Sequence, residues 1–149
     1  MKNIFYFFLI LCCSGVFSQN ADLTSAIISF NKGENKLAKE AIDNATKKIE
    51  SGSVLKAKKI AKYYHYRGLI YVRIFQIDSI NPLRFNLLNT AVNSLLEDAT
   101  LNSVFSKKSI IQLNICSNIY ASEAYKDYQN GDYLSALSKF ISAININSS

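Results

Sequence analysis

The stretch YASEAYKDYQNGDYLSALSKFISA, residues 120–143, contains two amphipathic segments separated by a glycine. Small and aromatic side chains recur at intervals of three and four residues on both sides of Gly131, which is the spacing of one face of an α-helix. Gly131 is suited to end the first segment, and Asp132 is placed to cap the second. The stretch therefore predicts two helices joined by a tight turn, over about Ser106 to Asn130 and Tyr133 to Asn147.

The same spacing occurs near the start of the chain. Six positions have counterparts of similar size 98 residues later, and they are Ala26, Phe30, Gly33, Ala38, Ile42 and Ala45. The later set is Ala124, Tyr128, Gly131, Ala136, Phe140 and Ala143. Between the two sets, the segment Tyr64-x2-Arg67-Gly68-x2-Tyr71 has the small-plus-aromatic layout of a packing helix. Four further helices are predicted, over about Ala21 to Asn31, Glu34 to Ser51, Val54 to Gln76, and from a cap at Asn81 with Pro82 in the first turn to Leu101.

This layout resembles the tetratricopeptide repeat (TPR), whose signature is W-x2-L-G-x2-Y…A-x3-F…P over about 34 residues. The resemblance extends over residues 19–149 as three degenerate repeats, of which the last matches best. It implies an all-α fold in which about six helices form antiparallel pairs, stacked as a short α-solenoid. The packing positions that it implies are Ala26, Gly33, Ala38, Gly68, Tyr71, Ala124, Gly131, Ala136, Phe140 and Ala143. A generic six-helix bundle is the alternative.

The first eighteen residues have the pattern of a secretory signal peptide. Lys2 precedes an uninterrupted apolar run from Ile4 to Cys13, and small residues stand three and one positions before Gln19. The run is too short to cross a bilayer. Lipidation is disfavoured, because Leu11 rather than a small residue precedes the first cysteine. We therefore expect residues 1–18 to be removed and the domain 19–149 to be exported, to a periplasmic, surface-associated or secreted location.

The composition offers few parts for catalysis. The 149 residues are 49% hydrophobic, with five Gly and one Pro, which disfavours a fold of many short strands. The single His65 has no Cys, Asp or second His at ligand or triad spacing, so we expect neither a metal site nor a Ser/His/Asp arrangement. Glu97 and Asp98 are interpreted as a solvated face, and Cys116 as a small buried hydrophobe rather than a reactive thiol. The prediction is a protein that is not an enzyme and needs no cofactor.

A basic segment is more informative about partners. Six cations and no acid occur between Ser51 and Ile77: Lys56, Lys58, Lys59, Lys62, Arg67 and Arg73. They are interpreted as a solvated helix face, with an anionic partner as the alternative. The TPR resemblance implies a concave peptide groove lined by the first helix of each pair, at Lys62, His65, Tyr66, Leu69, Arg73, Asn118, Ser122 and Tyr125. From the first helix it would add Asn20, Thr24, Ile27 and Asn31.

The function predicted on this basis is a noncatalytic protein- or peptide-binding scaffold of the TPR type. Its partner would be a protein or peptide, for which an acidic or C-terminal carboxylate group is one option, and neither a nucleic acid nor a membrane-spanning role is expected. The alternative is a structural assembly unit, or a part of a longer repeat protein that continues past Ser149. It rests on the last helix, whose apolar residues exceed one narrow stripe and predict self-association, docking of a partner there or a longer chain: Leu134, Leu137, Phe140, Ile141, Ala143, Ile144 and Ile146.

Overall fold

The computed structural model describes residues 21–52, 54–81 and 83–148, and these residues form six helices and no strand. The first helix, α1, covers residues 21–31. The others are α2 (Asn35–Glu50), α3 (Ala57–Ile77), α4 (Arg84–Thr100), α5 (Ser106–Gln129) and α6 (Tyr133–Asn147). The predicted all-α class is confirmed. The predicted signal peptide, Gln19, Asn20 and Pro82 lie outside the described residues. None of the described helices is long and apolar enough to span a membrane.

The chain divides into two compact units, of which the first is Met1–Tyr63. In its described part, α1 and α2 are antiparallel, since Lys48 near the end of α2 forms an ion pair with Asp22 at the start of α1. Gly33 makes the turn between them with a φ of +77°, a conformation that side chains other than glycine rarely adopt. The pair buries small and aliphatic side chains, namely Leu23, Ala26, Ala38, Ile42 and Ala45.

The second unit, Tyr64–Ser149, contains most of α3 and all of α4, α5 and α6. Consecutive helices are antiparallel. Arg67, in the middle of α3, contacts Ser94, past the middle of α4. Phe75, late in α3, packs against Phe85, early in α4, with ring centroids 5.5 Å apart. Helices α3 and α4 therefore pack side by side in opposite directions. Ser117 Oγ donates to the carbonyl of Ala143 at 2.9 Å, which sets α6 against α5. Two successive antiparallel helix pairs, α3–α4 and α5–α6, therefore form this unit, an arrangement consistent with a short TPR-like stack.

The first helices of these two pairs are parallel neighbours. His65 on α3 contacts Ser109 on α5, 44 residues later, at 2.8 Å. Phe75 and Ile119, also 44 residues apart, line one cavity farther along the same two helices. Because the offset is constant along both helices, α3 and α5 run side by side in the same direction. They present a shared face on which a ligand could lie.

Most of the implied packing positions are buried. Ala26, Ala38, Gly68, Tyr71, Ala124, Ala136 and Ala143 are buried, and Gly33 and Gly131 occupy turns with positive φ. Phe140 differs, because its side chain is 37% exposed. Asn81 also differs in detail. Its side chain accepts the Leu83 N–H at 2.9 Å, but the helix begins only at Arg84, so Asn81 caps the preceding turn and not α4 itself.

Candidate functional site

The shared face of α3 and α5 holds two cavities. The first has a volume of about 210 Å³ and is lined by His65, Leu69, Lys108, Ile111 and Gln112. Leu69 and Gln112 are half-buried, whereas Ile111 is 58% exposed. The cavity therefore combines an apolar floor with one cation and one amide.

The second cavity lies toward the C-terminal end of α3 and has a volume of about 400 Å³. Its lining consists of Phe75, Gln76, Arg84, Ile115, Asn118, Ile119, Ser122 and Glu123. Arg84 and Glu123 are paired with each other at 2.6 Å, so the charges of this lining balance. The salt bridge leaves the amides of Gln76 and Asn118 and the hydroxyl of Ser122 as the neutral hydrogen-bonding groups of the cavity. We call the two cavities together the α3–α5 groove.

Four of the twelve predicted groove residues line this groove. His65 and Leu69 line the first cavity, and Asn118 and Ser122 line the second. Arg73 and Tyr125 are exposed but line neither cavity. Lys62 belongs to the first unit, as do Thr24, Ile27 and Asn31 of α1.

Tyr66 is half-buried and forms an edge contact with Phe105, at a ring-centroid distance of 6.3 Å. It lines neither cavity, and the prediction that it faces a ligand stays a prediction.

Sequence reasoning missed several groove residues on α5. Lys108, Ile111 and Ile115 precede Asn118 in steps of three and four residues, which is the spacing of one helix face. Extending the stripe backward from Asn118 would have found them. Ile111 and Ile115 were not assigned to the groove because isoleucine is usually buried, so a sequence pattern places it in the core.

A buried polar cluster lies directly behind the first cavity. The side chains of His65 and Asp98 are 5% and 0% exposed, and Nδ1 of His65 lies 3.7 Å from Oδ2 of Asp98. Ser109 stands between them, since its Oγ donates to Oδ2 of Asp98 at 2.6 Å and lies 2.8 Å from Nδ1 of His65. Because the hydroxyl gives its only proton to Asp98, it must accept the proton of Nδ1. The three residues link α3, α4 and α5.

The other oxygen of Asp98 is also satisfied. Ser103 Oγ donates to Oδ1 at 2.7 Å, and Ser106 Oγ donates to the backbone carbonyl of Asp98 at 2.8 Å. The Phe105 ring stacks on His65 at a centroid distance of 4.9 Å and covers the imidazole. The turn between α4 and α5 thus supplies the hydrogen bonds that a buried carboxyl group requires.

This cluster corrects two expectations. The expectation that a Ser/His/Asp arrangement lacks its parts is wrong as regards contacts, because the fold brings Asp98 and Ser109 to His65 from 33 and 44 residues away. The interpretation of Glu97 and Asp98 as a solvated face holds only for Glu97, which is exposed, whereas Asp98 is fully buried. No local sequence pattern predicts the approach of His65 to Asp98 or the burial of Asp98, since the contacting residues come from different helices.

The electrostatics of the cluster follow from burial. Desolvation lowers the pKa of His65 below its ordinary value of 6.5, partly offset by the charge of Asp98, and Lys108 lowers it further. The geometry differs from a nucleophilic triad, in which histidine takes the proton of serine. Here the Ser109 proton points to the carboxyl group, so the hydroxyl is not activated. The cluster is suited to holding three helices together.

No group of three or more His, Cys, Asp or Glu side chains in the described ranges could hold a metal ion. Cys116 is fully buried, as predicted, and desolvation raises the pKa of its thiol to about 12. Arg67, predicted on a solvated face, is half-buried, and its Nη1 donates to Ser94 Oγ at 2.7 Å.

Comparison with protein-family models, with curated proteins and with solved structures yields no match to this chain. The groove and the surface of the helices are therefore the features that bear on function.

Proposed function

We propose that the protein is a noncatalytic binding scaffold of the TPR type, which holds an extended peptide in the α3–α5 groove. The observation that supports this is the alignment of two cavities along two parallel helices, both lined by aliphatic and amide side chains. An extended chain places alternate side chains on one side, about 6–7 Å apart. Successive side chains of such a peptide could enter the apolar parts of the groove, while its backbone bonds to the amides.

The charges near the groove favour an anionic peptide. Lys108 of α5 lines the first cavity and is exposed. Arg73 is exposed on α3, four residues after Leu69, which lines the same cavity. The acid of the second cavity, Glu123, is held by Arg84 at 2.6 Å and by Lys126 at 2.6 Å. An acidic side chain or a terminal carboxylate near Lys108 would therefore meet an uncompensated cation. This attraction should weaken with added salt.

A peptide array tests the proposal. We expect the full chain to bind a subset of immobilised octapeptides, enriched in one aliphatic and one acidic residue. Ile111→Glu should abolish this binding, because it places an acid in the first cavity. Ile110→Glu is the matched control, since Ile110 is 49% exposed, Ile111 is 58% exposed, and Ile110 does not line the groove. Equal binding by both variants would contradict the proposal.

A structural assembly unit is the second candidate function. The observation that favours it is the exposure of large aliphatic side chains on α6, where Leu134 is 83% exposed and Ile144 is 62% exposed. This surface does not contribute to the α3–α5 groove, so the two functions are compatible in one molecule.

A further inference from the structure

The solvent side of α6 carries a continuous apolar row. Leu134, Leu137, Ile141 and Ile144 are 83%, 57%, 48% and 62% exposed. At about 100° per residue these four side chains fall within one narrow arc of the helix. The opposite side of α6 is buried, through Ala136, Ala143 and Ile146. We call the four exposed residues the α6 row.

The α6 row carries no charge. Lys139 is the one charged residue among Tyr133–Asn147. It lies on the other side of the helix, where it pairs with Asp127 and stands 4.6 Å from the centre of the Phe85 ring. A row without charge has no electrostatic preference for a partner of either sign, and it does not repel a copy of itself.

The spacing of the row is symmetric. The steps from Leu134 to Leu137, to Ile141 and to Ile144 are three, four and three residues, so the row reads the same in both directions. When two such helices pack antiparallel about a two-fold axis, Leu134 meets Ile144 of the other copy, and Leu137 meets its Ile141. A two-fold interface requires this kind of self-complementary pattern.

The exposed area is sufficient for a dimer of moderate strength. Tyr133 and Phe140 border the row and are 64% and 37% exposed. Together with the row they expose the equivalent of about three and a half large side chains, or roughly 600 Å² on each copy. Two copies would bury about 1,200 Å² in total, at the lower end of specific interfaces.

We propose that α6 packs against α6 of a second copy, antiparallel and about a two-fold axis, with the α6 row as its core. This inference deepens the second candidate function by naming the occupant of the surface. It is independent of the α3–α5 groove, so a failure here leaves peptide binding intact, and the reverse also holds.

Sedimentation of the full chain over a concentration series tests the association. We expect a monomer–dimer equilibrium, with dimerisation weakened at least about 100-fold by Leu137→Lys/Ile141→Lys, because each copy would bring two charges to the axis, four in all. The matched control is Ile28→Lys/Leu37→Lys, since these residues are 49% and 54% exposed on α1 and α2. Circular dichroism checks that each variant stays helical. A monomer at all concentrations, or equal effects of the two double variants, overturns the proposal.

Crosslinking tests the direction of packing. In a background with Cys12→Ser and Cys13→Ser, a mixture of Leu134→Cys and Ile144→Cys chains should form a heterodimer with a thiol crosslinker shorter than ~15 Å, the axial distance between these positions. Each variant alone should give no crosslinked dimer, because identical positions lie too far apart in the antiparallel pair. Cys116 is buried and should not interfere. A homodimer of Leu134→Cys alone would show parallel packing and overturn the proposed symmetry.

Discussion

Gly68 lies so close to Leu95 that a Cβ atom added to it would stand 2.5 Å from the Leu95 Cγ. The close approach of α3 and α4 at this point depends on the absence of a side chain. We expect Gly68→Ala to lower the free energy of unfolding by about 1–3 kcal/mol, through overpacking. In an uncrowded helix the same change would raise the free energy of unfolding by ~0.5–1 kcal/mol. The sign of the change therefore shows whether α3 and α4 are in close contact at Gly68.

Urea denaturation measures this effect, and a double variant provides its control. Leu95→Ala should destabilise the protein by leaving a cavity, but adding Gly68→Ala to it should cost little, since the new methyl group would find room. A stabilising Gly68→Ala would show that the two helices do not pack as described.

Ser109→Ala should destabilise the protein more than an ordinary serine substitution. It removes one acceptor from His65 Nδ1 and one donor from Asp98, and both groups would stay buried. A loss of about 2–3 kcal/mol is expected, because each unsatisfied buried group costs ~1–3 kcal/mol. Ser138→Ala is the control, since Ser138 is exposed on α6. Equal thermal midpoints of the two variants would contradict the role given to Ser109.

The stability of the protein should fall when His65 is forced to bind a proton. Because desolvation lowers its pKa in the folded state below 6.5, the unfolded chain binds this proton more readily at acidic pH. The contribution of neutral His65 to the free energy of unfolding is therefore fully present above pH 6.5. It is lost as the pH falls toward the pKa of folded His65. Measured against pH, the free energy of unfolding should slope downward on the acid side of 6.5.

His65→Gln is the variant that isolates this dependence. It removes the titrating group, so the slope immediately below pH 6.5 should flatten even though the variant is less stable overall. An unchanged slope would assign the dependence to other groups.

The exported protein should begin at Gln19 and carry no lipid. The positive start at Lys2, the short apolar run and the small residues before Gln19 predict cleavage there. Intact-mass measurement of the chain recovered from the envelope or medium of a bacterial host checks this. Lys2→Glu should slow export, because it reverses the charge of the leading segment. A diacylglyceryl adduct on Cys12 or Cys13 would contradict the prediction.

The helix bounds that carry strong local signals could be predicted from the sequence. Helix α6 begins and ends as predicted, at Tyr133 and Asn147. Its start is set by two residues: Gly131 takes a φ of +81° in the turn, and Asp132 accepts the Ser135 N–H at 3.1 Å. Helix α4 begins later than predicted, since the Asn81 side chain is used within the preceding turn. Local chemistry thus fixes the ends of helices where turn and cap residues are unambiguous.

The groove and the buried cluster could be predicted only in part. Periodicity identifies one apolar face of a helix, but α3 is buried on several sides, so the His65 side chain that lines the first cavity is itself almost fully buried. The contact of His65 with Ser109 joins positions 44 residues apart. Such pairs depend on how the helices pack, which no single-helix pattern contains.

The hydroxyl bridge between His65 and Asp98 also constrains how the sequence can change over time. Losing Ser109 alone leaves Nδ1 of His65 without its acceptor and Oδ2 of Asp98 without its donor, and losing Asp98 alone removes the acceptor of the Ser109 and Ser103 hydroxyls. Replacing all three together by apolar side chains of similar volume can be nearly neutral. Positions 65, 98 and 109 should therefore covary among descendants of this chain, as one inherited unit drawn from three helices.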